Sequence, residues 1–273
     1  METIIIIGNG ISGVTAARYI RKYSNHRIII ISAETKYFFS RTALMYVYMG
    51  HMKFENTQPY ENGFWEKNRI ELIHNYVETI DFENQTLQLA NEETLAYDKL
   101  ILAIGSTPNK FGWKGQDLKG VQGLYSAQDL ELLEENSKDI KRAVIVGGGL
   151  IGVELAEMLR SRKIDVTFLV RDANFWGSVL PKQEAELITN HIKDHHIDLQ
   201  LETELQEIVG DQNGRVSKII TNKGEEIECQ LVGLTAGVHP NVSFLKNTAL
   251  DVQKGIVVNR YLETNQKNVY AIG

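Results

Sequence analysis

Apolar residues along the chain fall into two kinds of run. Residues 4–7, 26–32, 100–104, 143–146, 166–170 and 231–236 are nearly continuous and rich in Ile, Val and Leu. Such runs suit strands buried on both faces of a parallel sheet. Residues 77–82, 86–89 and 94–97 alternate instead, split by Glu83-Asn84 and Asn91-Glu92. Residues 199–207, 216–221 and 226–231 do the same around Asp211-Gln212-Asn213-Gly214 and Asn222-Lys223-Gly224. Short alternating runs between turn residues predict antiparallel meanders. Helical patterns cover 14–22, 128–137 and 153–162, and the glycine-punctuated stretch 110–128 reads as a linker.

The first continuous run breaks into Gly8-Asn9-Gly10-Ile11-Ser12-Gly13 and then a helix. In a Gly-x-Gly-x-x-Gly turn between strand and helix, each glycine has a task. Gly8 permits the tight turn, Gly10 lets backbone approach a pyrophosphate, and Gly13 lets the helix pack on the strand. The free N–H groups of the helix start face the anion. Glu34 follows the second strand, where a carboxylate accepts from ribose hydroxyls. The same order returns at Gly147-Gly148-Gly149-Leu150-Ile151-Gly152, and Gly105-Ser106-Thr107-Pro108-Asn109 is echoed by Gly237-Val238-His239-Pro240-Asn241. Gly8 and Gly147 are 139 positions apart, Gly105 and Gly237 132. The near agreement marks an internal repeat. The fold class is therefore α/β, with two Rossmann-like dinucleotide-binding domains carrying parallel sheets and antiparallel meanders. Two dinucleotide sites imply two nucleotide cofactors and electron transfer between them.

A length of 273 residues allows two cores, and a net charge of −6 without a basic cluster argues against nucleic acid. No apolar run reaches membrane-spanning length and no signal peptide precedes Ile4, which points to a cytoplasmic protein. The single cysteine, Cys229, excludes an intrachain disulfide and reads as a small buried residue. His191 and His195 share a helix face with His196 close by, but no cysteine accompanies them, so a solvated helix end is expected and no metal site. Around Tyr37, Phe38 and Phe39, aromatic residues either wall a flat ring or fill a core. Arg41 is either a pyrophosphate ligand or a surface charge. No nucleophile–base constellation is present, and no catalytic side chain is assigned.

Taken together, the two glycine motifs, Ala103-Ile104-Gly105-Ser106-Thr107-Pro108, Gly237-Val238-His239-Pro240-Asn241 and the ending Val269-Tyr270-Ala271-Ile272-Gly273 resemble the FAD/NAD(P)-dependent pyridine nucleotide oxidoreductases. The resemblance is greatest to the branch of NADH dehydrogenases, nitrite reductase flavoproteins and ferredoxin or rubredoxin reductases. It implies FAD in the first unit, on Gly8, Gly10, Gly13, Glu34, Arg41 and Val77, and NAD(P)H in the second, on Gly147, Gly149, Gly152 and Glu154. It also places Ala103, Gly105, Gly237 and Gly273 among the cofactor-contacting positions. The paired cysteines of the disulfide-reducing members are missing near Arg41. Val170 stands where an acid selects NADH, and Arg171 after it leans toward NADPH, while Asp172 blurs the choice. The implied domains are 1–112 and 246–273 for FAD, with 113–245 inserted for NAD(P). Hydride would pass from NAD(P)H to FAD and electrons on to a quinone, a ferredoxin- or rubredoxin-like carrier or a partner subunit; a homodimer is also compatible. The family's Asp after Ala-Ile-Gly is not reached, so the chain reads as truncated, with weak flavin retention expected. The rival reading is a non-catalytic, redox-sensing nucleotide module.

Overall fold

The computed structural model describes residues 1–273 as two units. The first comprises Met1–Arg41, Phe54–Thr107 and His239–Gly273. Its five-stranded sheet runs Val269–Ala271, Lys99–Leu102, Thr3–Ile7, Arg27–Ser32, Ile70–His74, all parallel. The continuous isoleucine runs follow from cover on both faces. Ile5, Ile7, Ile29 and Ile31 pack with Val77, Leu87 and Leu89 of the meander. Ile6, Ile28 and Ile30 face the other way, onto Val14 and Ala17 of the helix Ile11–Tyr23 and onto Trp65. Successive strand residues point to opposite faces, so a two-sided burial needs an unbroken apolar run. Each fully buried isoleucine contributes about 1.5–3 kcal/mol. The meander Val77–Asp81, Thr86–Leu89, Thr94–Ala96 is antiparallel.

The second unit comprises Thr42–Lys53 and Pro108–Val238. Its parallel sheet runs Asp198–Leu201, Asp165–Val170, Arg142–Val146, Leu231–Leu234, Val121–Gln122. Leu205, Ile208, Val216, Ile219 and Cys229 of the second meander region cover Val144, Val146 and Leu169. The helix Leu150–Ser161 buries Gly152, Leu155, Ala156, Met158 and Leu159. The helix Ala127–Asn136 begins with a capping box, Asp129 N donating to Ser126 Oγ at 3.0 Å and Ser126 N to Asp129 Oδ2 at 2.8 Å. That pairing satisfies the exposed donors of a first turn within the protein. The connecting segments Ser106–Pro108 and Val238–Pro240 pair as a two-stranded sheet.

Three elements depart from the sequence pattern. The stretch 199–207 is two strands: Asp198–Leu201 joins the parallel sheet, and Leu205–Gly210 alone opens the antiparallel one. The turn between them, Glu202-Thr203-Glu204 with Glu202 at φ +51, holds no Gly, Pro, Asn or Asp to mark the break. The strand Ile70–His74 is not among the apolar runs predicted above, because its edge position needs only one buried residue, Ile70. Within the expected linker 110–128, Val121–Gln122 pairs with Leu231–Leu234, contributing a strand too short to show a period.

Candidate functional site

Both glycine turns leave the central strand of a parallel sheet at its carboxyl end. At each, the strand's neighbours lead away to opposite sides of the sheet. That crevice is where open α/β sheets bind ligands. In the first unit Gly8 has φ +109, and a Cβ there would stand 2.1 Å from Ala103 O. Its N–H donates to Ile31 O at 2.8 Å. A Cβ on Gly13 would stand 2.0 Å from Gly8 O, so the helix lies directly on the turn. Gly10 differs: no protein atom lies within 4 Å of its Cβ position. It heads the helix Ile11–Tyr23 without a side-chain cap and without an acid in the first turn. The contrast with the Ser126-capped helix is informative. Here the backbone donors and the positive end of the helix dipole are left open to an anion.

The second unit repeats this geometry. Gly147 has φ +119, and its Cβ would meet Thr235 O at 2.7 Å; a Cβ on Gly152 would meet Gly147 O at 2.4 Å. Gly149 again opens to empty space and again heads an uncapped helix. Ala103 and Thr235 hold corresponding places across the two turns. Ala103 N donates to Ile7 O at 2.8 Å and Thr235 N to Val146 O at 2.9 Å. Thr235 adds a hydroxyl bond to Val146 O at 3.0 Å.

Glu34 follows the strand Arg27–Ser32 and is bound by Arg41, with Nη1–Oε1 2.9 Å and Nη2–Oε2 2.7 Å. Sequence reasoning gave the two separate roles; the structure brings them together. Gly273, at φ +119, places its Cβ position 3.3 Å from Ser12 Oγ, returning the chain to the first turn of the helix after Gly10. Gly105, at φ +67, accepts from Asn241 N at 3.0 Å. Gly237, at φ +87, accepts from Asn109 N at 3.0 Å. Val77 is buried in the core at the start of its strand. Glu154 lies on the helix after Gly152, where burial, then the charge of Glu157, raises its carboxyl above the ordinary range. Arg171 is exposed and sits 3.7 Å from Asp172.

Three supporting residues were not singled out from the sequence. Asn9, buried inside the glycine motif, donates to Thr35 O at 2.7 Å and accepts from Ser32 Oγ at 2.9 Å. These bonds tie the turn to the end of the neighbouring strand. Ser12 meets the returning Gly273, and Thr235 backs the second turn. A polar residue at an x position of a glycine motif was the only available signal. The His191 and His195 ring centroids lie 4.3 Å apart with the rings tilted by 52°, and no group of three or more potential metal ligands occurs. Burial pushes the Cys229 thiol up to about 12.

The family model described as pyridine nucleotide-disulphide oxidoreductase matches residues 2–273. The chain is 31% identical over 275 residues to a nitrite reductase [NAD(P)H] of Bacillus subtilis (strain 168), covering 100% of this chain and 34% of that protein. It is 28% identical over 273 residues to a rubredoxin-NAD(+) reductase of Pseudomonas putida, covering 99% and 71%. A ferredoxin reductase structure from Rhodopseudomonas palustris superposes with a TM-score of 0.94 at 25% identity, over 100% of this chain and 68% of the other. The chain thus spans about a third of the Bacillus relatives, 34% and 35%, and about two thirds of the reductase structure.

Proposed function

Because the chain belongs to the pyridine nucleotide-disulphide oxidoreductase family, we propose that it is the two-nucleotide portion of an FAD-dependent NAD(P)H oxidoreductase. The observation that carries this reading is the duplicated, uncapped glycine turn at the switch point of two parallel sheets. In the first unit, Gly8, Gly10 and Gly13 shape the turn for the FAD pyrophosphate, and Glu34, steadied by Arg41, accepts from the adenosine ribose. Gly273 and Ser12 border the same helix start. In the second, Gly147, Gly149 and Gly152 do the same for NAD(P)H, with Glu154 on the following helix. When bound, the flavin supplies the two-electron chemistry. The protein's contribution is to bind and orient both nucleotides. Its one thiol, Cys229, is fully buried in a core, which disfavours a relay disulfide. Electrons then pass to an acceptor. The relatives named for rubredoxin and ferredoxin support a small redox protein in that role. No helix is long and apolar enough to cross a membrane.

The test is reconstitution with FAD. Visible flavin absorbance that bleaches on adding NADH or NADPH, followed by turnover with ferricyanide, supports the reading. Flavin that binds but is never reduced by either nucleotide overturns it in favour of a non-catalytic nucleotide module.

A further inference from the structure

The ribose-reading end of the second site is built differently from that of the first. Register makes the comparison direct. Gly8 N bonds to Ile31 O and Gly147 N to Leu169 O, so Ser32, Ala33 and Glu34 correspond to Val170, Arg171 and Asp172. The strand-end position is closed to polar contact: Val170 is 1% exposed, and its Cγ1 lies 2.8 Å from the Cβ position of Gly148. The carboxylate therefore comes two residues later, as Asp172, at the station that Glu34 holds in the first unit.

The two acids have different partners. Glu34 is gripped at two points by Arg41. Asp172 meets only one edge of Arg171, Nε to Oδ1 at 3.7 Å, and the Arg171 side chain is 75% exposed. The backbone beneath them is fixed, with Thr203 N donating to Val170 O at 3.1 Å and Glu202 N to Asp172 O at 3.2 Å. A second cation borders this edge: Lys223 Nζ bonds to Thr203 Oγ1 at 2.9 Å and to Leu201 O at 3.3 Å. A fixed backbone thus presents one carboxylate and one loosely held guanidinium side by side.

Resting on the reading of this unit as the NAD(P)H site, we propose that it accepts NADH and NADPH alike, with Arg171 and Asp172 as alternative readers of the adenosine 2′ position. Asp172 accepts a hydrogen bond from the 2′-hydroxyl of NADH. Arg171 leaves its weak contact with Asp172 and pairs with the 2′-phosphate of NADPH, whose repulsion by Asp172 it offsets. Neither group excludes the other ligand, because neither is buried.

The chain is titrated with NADH and with NADPH by calorimetry, and hydrogen–deuterium exchange locates each ligand. Protection at residues 147–152 and Kd values within about tenfold of one another are expected, since each nucleotide gains one charged contact. Arg171→Ala weakens NADPH by about tenfold or more and spares NADH; Asp172→Ala weakens NADH to a similar degree and spares NADPH. A preference of a hundredfold or more for one nucleotide in the unaltered chain, or variants that weaken both nucleotides equally, would overturn the proposal while leaving the site assignment intact. Absence of protection at 147–152 with either nucleotide overturns the assignment itself. The Arg171 side chain is 75% exposed and that of Asp172 38%, so neither substitution empties a core, and a thermal melt of each variant confirms that the fold is kept.

Discussion

Arg41 holds the Glu34 carboxylate at both oxygens, Nη1–Oε1 2.9 Å and Nη2–Oε2 2.7 Å. The fork of a guanidinium matches a carboxylate in one plane, so this pair orients Glu34 before any ligand arrives. Arg41 is accordingly placed as a positioning residue for Glu34 in the proposed flavin site.

Arg41→Ala releases Glu34 and is expected to weaken FAD by about tenfold, the loss typical of one charge-assisted bond. Arg41→Lys recovers only part of this, because an ammonium cannot bridge both oxygens in plane. Fluorescence titration with FAD checks both. Equal FAD affinity in all three proteins would show that the pair does not set the site.

The glycines divide into two classes with opposite expected phenotypes. Gly13→Ala forces a methyl to within 2.0 Å of Gly8 O, and Gly152→Ala to within 2.4 Å of Gly147 O. Each should cost about 1–3 kcal/mol of stability through overpacking. Gly10→Ala and Gly149→Ala meet no protein atom, so their melting temperatures should stay near that of the parent. The added methyl instead stands where a pyrophosphate would approach, and nucleotide binding is lost. Thermal melts paired with binding isotherms separate the classes; a Gly10→Ala protein with undiminished affinity for FAD would contradict the proposed cradle.

Within the second unit, the short helix Leu44–Tyr48 is secured by one cation. The Arg162 guanidinium lies 3.5 Å over the Tyr48 ring, bonds to Tyr48 O, and pairs with Glu134 at 2.6 Å. Hydrogen bonding to Glu134 raises the Arg162 pKa further, so it stays charged. The ring stacking alone is worth about 0.5–2 kcal/mol. Arg162→Ala should increase amide exchange across residues 42–53 and lower the melting temperature by a few degrees, as expected for about 1 kcal/mol in a unit of this size. Unchanged exchange there would show that apolar packing suffices.

Two buried groups predict a loss of stability in alkali. Burial raises the Cys229 thiol from 9.0 to about 12 and the Tyr97 hydroxyl from 10.0 to about 12. Both are neutral when protonated, so the folded state binds more protons than the unfolded one between the paired values. Their contribution is complete below about pH 9 and declines as pH rises toward 12. Denaturant midpoints should fall across that window, and Cys229→Ala should shallow the slope. The native thiol should also resist Ellman's reagent at pH 8 and react after denaturation; prompt labelling of the native protein would refute its burial.

The sequence by itself determined the repeat, the glycine-rich turns and most strands, because each is enforced locally. A positive φ at Gly8, a Cβ collision at Gly13 and a strand buried on both faces leave marks within a few residues of themselves. Tertiary structure decided what depends on distant partners. It made 198–201 the edge of a parallel sheet and 205–210 part of an antiparallel one, bound Glu34 to Arg41, tied Asn9 to Ser32 and Thr35, and brought Gly273 beside Ser12. The physical reason is that a backbone constraint is paid within one turn of chain, whereas a hydrogen bond or a sheet register exists only once segments far apart in sequence have met.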